Sequence, residues 1–326
     1  MLELDLSPAI KELKKIEAKR VLIQIPEGLK VQTEDIIQKL EKENFEVISE
    51  MSPCFGACDI KVSEAKSLNC DAILHIGHNE FIKINEIPVI YLPLNYTLEN
   101  FKDILKKLVD YLKKKEIIEI GLVTTAQFLN YVPQIKEELE KNKIKVLTKS
   151  GVRVVSAQTL GCNYSAVPNT KNIVYFGDGL FHPLGIHFST QNEVIICNPF
   201  NEKIKELNEE KNKFLRQRIL LIEKAKETNS FAIIVSSKIG QQRMQVAEKI
   251  RTDLIMSGKA AKIYSMDHIS EDKLLGINAG AYISTACPRL SIDDFFNWKK
   301  PLINASEVKY LLGKEKYENY KLDLFY

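Results

Sequence analysis

The chain has 326 residues, 45% of them hydrophobic, which is enough for two or three domains with cores of their own. Lys and Arg (46) nearly balance Asp and Glu (43), and the signs alternate along helical stretches instead of forming a basic block, so nucleic acid is not an expected partner. Apolar runs such as FAIIVSS fall far short of the roughly 18 residues that cross a bilayer, and MLELDLSPAIKELKK lacks a signal peptide's apolar stretch. A soluble, cytoplasmic protein with no membrane segment is expected.

In chain order, short Val- and Ile-rich strands are predicted over 20–26, 45–51, 72–77 and 87–93. Between the first two, Ile36, Ile37 and Leu40 recur at helical spacing, giving a strand, helix, strand unit. A helical linker over 97–116 follows. The order then returns as a strand over 118–125, a helix over 127–142 and a strand over 143–150, followed by the strands NIVYFG and EVIICNP. A second helical linker spans 201–227, and the order returns once more as a strand over 231–237, a helix over 241–258 and a strand over 259–266.

First strands begin at 20, 118 and 231, a period too long for a solenoid but natural for a triplicated α/β domain. The predicted fold class is α/β, with three similar domains over 1–96, 97–200 and 201–326. Each is a short, mostly parallel sheet flanked by helices, with ligands expected at the carboxyl ends of the strands. No copy carries GxGxxG after its first strand, which argues against dinucleotide binding.

Six cysteines, at 54, 58, 70, 162, 197 and 287, are too few for a disulfide framework in a chain of this length. Cys58 lies in the loop MSPCFGACD, Cys162 in SAQTLGCNYS and Cys287 in AYISTACPR, one thiol per copy beyond a strand. Three thiolates suit a four-iron four-sulfur cluster with one iron open to substrate. Spacing alone leaves open whether these three share a metal. Cys70 and Cys197 read as buried small hydrophobes, and Cys54 as a structural neighbour of Cys58. CFGACDIK supplies CxxxC, but Lys61 stands where a CxxxCxxC loop would place its third thiol.

PCFGACD around Cys58, GDGLFHPLG over 177–185, GQQR over 240–243 and CPRLSIDD over 287–294 together resemble the diphthamide-biosynthesis family. Its archaeal members carry out the first step as 2-(3-amino-3-carboxypropyl)histidine synthase, a non-conventional radical S-adenosylmethionine enzyme. The resemblance runs from the first strand to the terminal YKLDLFY. It implies a homodimer and a central 4Fe-4S cluster held by Cys58, Cys162 and Cys287. It also implies S-adenosylmethionine as co-substrate, a histidine of translation elongation factor 2 as acceptor, and a separate electron donor.

A transferred group bearing a carboxylate calls for a fork of donors. Arg289, and Arg243 with Gln241 in GQQR at a helix start, are candidates; each arginine reads equally as an ordinary ion pair. Asp178 and His182 sit among glycines, where backbone comes close to a ligand or a neighbouring domain, although His182 also reads as a turn residue before Pro183. Asp293 and Asp294 suit the cofactor's amine, yet SIDD also resembles a helix start capped by acids. Gln158, His75 and His78 complete the candidate lining. Two other readings stand beside this one. A zinc-dependent hydrolase would use Cys54, Cys58, His75 and His78, and a non-catalytic scaffold subunit would only dock the elongation factor.

Overall fold

The computed structural model describes residues 2–294 and 297–322; the last four residues of YKLDLFY lie outside the described residues. Compactness divides the chain into two units, Met1–Glu99 with Thr125–Val132, and Asn100–Thr124 with Pro133–Tyr326.

The first unit runs β1 (Leu2–Glu3), α1 (Ser7–Lys15), β2 (Arg20–Gln24), a 3-10 turn at Glu27–Gln32, α2 (Thr33–Glu41) and β3 (Glu46–Glu50). It continues with α3 (Val62–Ser67), β4 (Ala72–Ile76), β5 (Val89–Leu92) and β6 (Asn95–Tyr96). Its main sheet is parallel throughout, in the order β3-β2-β4-β5. Every residue of β4 is buried, because helices cover both faces of such a sheet. Val21, Ile23, Leu74 and Ile76 pack with Ile36 and Leu40 of α2 on one face, while Leu22 and Ile73 meet Ile60 and Ala65 on the other. β1 and β6 form a separate antiparallel ribbon. The 3-10 turn Ala126–Tyr131 also belongs to this unit: Tyr131 Oη accepts the Leu98 N–H at 2.8 Å and Phe128 stacks on Tyr96.

The second unit holds α4 (Phe101–Lys114), β7 (Glu119–Thr124), α5 (Val132–Lys141), β8 (Lys145–Leu147), β9 (Asn172–Phe176), α6 (Phe181–Thr190), β10 (Glu193–Cys197), β11 (Ile204–Glu206) and α7 (Asn208–Lys226). β12 (Ser230–Ser236), α8 (Met244–Met256), β13 (Ala260–Met266), β14 (Ala281–Ser284), α9 (Arg289–Ile292), β15 (Leu302–Asn304) and α10 (Val308–Leu311) follow. Its two sheets have the orders β8-β7-β9-β10-β11 and β13-β12-β14-β15. All three main sheets therefore place their strands in the sequence second, first, third, fourth. The repeat expected from spacing is present in the hydrogen bonding. One apolar core joins the last two sheets, with Val123 and Ile196 of the second, Ile222 of α7, and Ile233 and Ile283 of the third.

Three local expectations are corrected. The strand expected over 143–150 shrinks to Lys145–Leu147, because residues beyond it pair within their own loop, Gly151 with Val154 and Leu160 with Asn163. The linker expected as helix over 201–227 begins instead with β11, antiparallel to β10, and turns helical only at Asn208. SIDD is not a helix start: α9 begins at Arg289 and Asp293 is its C-terminal cap. Among the described residues no helix is long and apolar enough to cross a membrane.

Candidate active site

In the first unit, β2 ends at Gln24, whose buried amide fixes the segment after Cys58. Its Nε2 donates to the Asp59 carbonyl at 2.9 Å and its Oε1 accepts the Lys61 N–H at 3.1 Å. Lys61 and Asp59 are themselves buried and pair at 3.4 Å, so the lysine in place of a third local thiol is a structural residue. A β-carbon at Gly56 would meet Cys58 Sγ at 3.6 Å and His78 Nε2 at 4.0 Å, which puts that thiol and that imidazole near each other on the open face of one glycine.

β4 delivers His75 and, past Gly77, His78. Gly77 has φ +92° and no room for a β-carbon beside Pro26 Cγ, so only glycine makes this turn. His75 Nε2 and His78 Nδ1 lie 3.0 Å apart. Burial, with the neighbouring His78, pushes His75 down to about 3, and burial pushes His78 down to about 4, so both rings are neutral near pH 7. Cys54 joins them: one ligand atom from each of Cys54, His75 and His78 lies within 4.8 Å of the others.

In the second unit, Cys162 and Cys287 both act on the Tyr164 phenol. Burial raises that group well above its ordinary value, and Cys162, Cys287, Tyr175 and Asp293 raise it further. Loops after two different sheets thus bring two thiols within electrostatic reach of one buried phenol. Tyr164 Oη donates to the Gly161 carbonyl at 3.1 Å, and a β-carbon on Gly161 would fall 1.6 Å from Phe181 Cε1, so the loop of Cys162 lies flat against the start of α6.

GDGLFHPLG follows β9. Asp178 Oδ1 accepts from Asn198 Nδ2 at 2.6 Å, and the Asp178 carbonyl accepts from Tyr175 Oη at 3.1 Å. His182 stacks on Tyr175, and burial, then the charge of Arg289, pushes it down to about 4. Arg289, two residues after Cys287, lies over the Phe181 ring at 5.9 Å and pairs through Nε with Asp293 Oδ2 at 3.2 Å. Burial raises the Asp293 carboxyl although Arg289 opposes it. Arg289, Asp293, Phe181 and His182 form one constellation just beyond Cys287 in the chain.

Behind it, the buried Arg218 of α7 donates to the Ser291 carbonyl at 2.7 Å and the Leu302 carbonyl at 3.0 Å, and grips Glu307 bidentately at 2.8 and 2.6 Å. Burial disfavours its charge, but Glu307 outweighs that and holds the guanidinium above its ordinary value. Glu307 also accepts from the Asn304 N–H and the Tyr320 hydroxyl.

The remaining candidates are more scattered. Gln158 is buried beside Thr124 at the end of β7. Arg243 stands at the amino end of α8, as expected, and Gln241 is buried with its N–H on the Lys238 carbonyl. Asp294 lines a separate cavity with Glu271, Leu275 and Trp298. Sequence reasoning passed over Tyr164, Tyr175 and Phe181, the aromatic floor of the constellation. The only signal for Tyr164 was an aromatic two residues beyond a thiol. The thiols sort by exposure: Cys58, Cys162 and Cys287 are partly exposed, and Cys54, Cys70 and Cys197 are buried.

The fold and these loops define a triplicated α/β protein with a partly exposed thiol beyond a strand of each sheet. The chain belongs to the family described as "Putative diphthamide synthesis protein", whose profile matches residues 25–321. It is 37% identical to a Pyrococcus horikoshii protein named 2-(3-amino-3-carboxypropyl)histidine synthase, over 97% of this chain and 92% of that one. It is 30% identical to a Methanocaldococcus jannaschii protein of the same name, over 100% and 95% of the two chains. The crystal structure of Dph2 from Pyrococcus horikoshii with a 4Fe-4S cluster superposes with a TM-score of 0.93 at 36% identity, covering 100% of this chain and 95% of that one.

Proposed function

We propose that the chain transfers the 3-amino-3-carboxypropyl group of S-adenosylmethionine to carbon 2 of a histidine in translation elongation factor 2. This is the first step of diphthamide biosynthesis, and methylthioadenosine and the displaced proton are the other products. The sorting of the thiols carries the reading. The three cysteines selected by spacing and resemblance are the three that are partly exposed. A cluster ligand must offer thiolate where iron can reach it, whereas burial raises the Cys197 thiol and keeps it protonated. Cys162 and Cys287, bearing on one tyrosine, fit a shared iron–sulfur group, and the family resemblance supplies Cys58 as the third ligand.

When bound, a reduced 4Fe-4S cluster would supply the electron that breaks the bond between sulfur and the γ-carbon and would take one back as the imidazole loses its proton, so the transfer is redox-neutral overall. The chain's own contribution is to position the substrate. The end of S-adenosylmethionine that is transferred carries a carboxylate and an ammonium. The Arg289–Asp293 pair offers the complementary charges 3.2 Å apart, guanidinium for the carboxylate and carboxylate for the ammonium. Phe181 holds the guanidinium face, and His182, neutral and stacked on Tyr175, adds no competing positive charge. Asp178 is held by Asn198 and shapes the turn, while Arg243, Gln241, Gln158 and Asp294 line the reading less directly. A homodimer, an electron donor and a cytoplasmic setting complete it.

The test is iron and acid-labile sulfide content with a visible spectrum, on protein purified without oxygen. Brown wild-type protein with about four irons per chain, lost in Cys58→Ala, Cys162→Ala and Cys287→Ala but kept in Cys70→Ala and Cys197→Ala, is the expected result. Full iron and transfer activity in Cys162→Ala would overturn the ligand set.

A further inference from the structure

We propose that Cys54, His75 and His78 form a second metal site that takes one zinc or similar borderline divalent ion, separate from the thiolate centre assigned above. The donor set is one sulfur and two imidazoles, which suits zinc and is poor for calcium or magnesium. In a tetrahedral zinc site, bond lengths of about 2.0–2.3 Å put ligand nitrogens roughly 3.3 Å apart and nitrogen and sulfur roughly 3.5 Å apart. The facing ring nitrogens are 3.0 Å apart, and the three ligand atoms lie within 4.8 Å of one another, so closing on an ion takes side-chain shifts of about 1 Å.

His75 is fully buried, and its Nδ1 has no hydrogen-bond partner. Two neutral imidazoles have two N–H groups between them, and the contact between the rings uses one. Whichever tautomers they adopt, Nδ1 of His75 is left as a buried polar atom with an unmet need. An ion held by the facing Nε2 of His75 and Nδ1 of His78 would take the place of the single proton they share, with the ring protons on His75 Nδ1 and His78 Nε2. His78 also meets the Ile76 backbone, the kind of outer contact that orients a ligating imidazole. Such an ion would tie the loop that carries Cys54 and Cys58 to the end of β4, leaving one coordination position for water. Its role is to hold that loop, not to hydrolyse a substrate.

The experiment uses the full-length Cys162→Ala/Cys287→Ala chain, a background without the proposed cluster, so its outcome does not depend on the transferase reading. Titrated with cobalt(II) under argon, it should bind about one ion per chain, with a thiolate-to-cobalt charge-transfer band and the intense d–d absorption of a tetrahedral site. Adding Cys54→Ala or His78→Ala should abolish both bands, while adding Cys58→Ala should leave them. Far-UV circular dichroism identifies variants that remain folded, and Cys54→Ser serves where Cys54→Ala does not. Metal analysis of the anaerobic wild-type enzyme should find about one zinc per chain beside the iron. Absence of the cobalt bands, or bands that survive loss of Cys54 and vanish with Cys58, would overturn the proposal.

Discussion

His182 shows how one side chain sets a pH limit. Folded, its ring stays neutral down to about 4; unfolded, it takes a proton near the ordinary 6.5. Between those values the unfolded chain binds more protons, so stability is full above about pH 6.5 and falls as pH drops toward about 4. The loss is at most about 1.4 kcal/mol per pH unit from this group. Urea midpoints measured across that window should fall less steeply in His182→Gln than in wild type. At the same scale, Arg289→Lys keeps the charge but loses the fork, and should raise KM for S-adenosylmethionine about tenfold or more with iron content unchanged. Steady-state kinetics checks this, and unchanged KM would remove Arg289 from the substrate's carboxylate.

At the scale of elements, the contact between the Cys162 loop and α6 depends on Gly161. A methyl there collides with the Phe181 ring, so Gly161→Ala should cost about 1–3 kcal/mol through forced repacking. Phe181→Ala in the same chain should recover part of that loss by removing the obstacle, and denaturant unfolding of the single and double variants measures it. This contact was not legible in the sequence. The strands were, because Val and Ile runs such as 72–76 and 231–236 are buried on both faces and have no alternative. The strand read over 143–150 runs past the end of β8 because the loop that follows pairs internally, and period-two patterning cannot distinguish the start of such a loop from a ladder. β11 was hidden because IKE is polar, as an edge strand can be, and sits in a run of helix-forming residues. The thiols were found by position and the aromatic floor was not, since a tyrosine in a loop has no periodic signature.

For the molecule as a whole, the triplicated strand order was legible as a period, but the placement of the thiols within it was not uniform. Cys58 and Cys162 fall between the second and third strands of their sheets, whereas Cys287 follows the third strand, where the first two sheets place His78 and the GDGLFH turn. The copies share a frame and differ in which loop carries sulfur. The frame of the last sheet relies on the Arg218–Glu307 pair, which ties α7, α9 and β15 together. Arg218→Ala should cost about 3–5 kcal/mol by stranding a buried carboxylate, while Arg218→Met with Glu307→Leu should recover only part of it, because the Asn304 N–H and Tyr320 hydroxyl then lose their acceptor. Chemical denaturation measures both, and an Arg218→Ala chain as stable as wild type would refute the role.

The turn at 126–131 carries a consequence for synthesis on the ribosome. Because Phe128 and Tyr131 complete a unit that otherwise ends at Glu99, the first sheet has all its strands some thirty residues before its last packing partners have been made. While α4 and β7 emerge, Tyr96 and the Leu98 amide wait uncovered. The nascent amino-terminal unit should therefore become protease-resistant only after residue 132 has cleared the exit tunnel, and a 1–99 fragment should be cleaved near its carboxyl end.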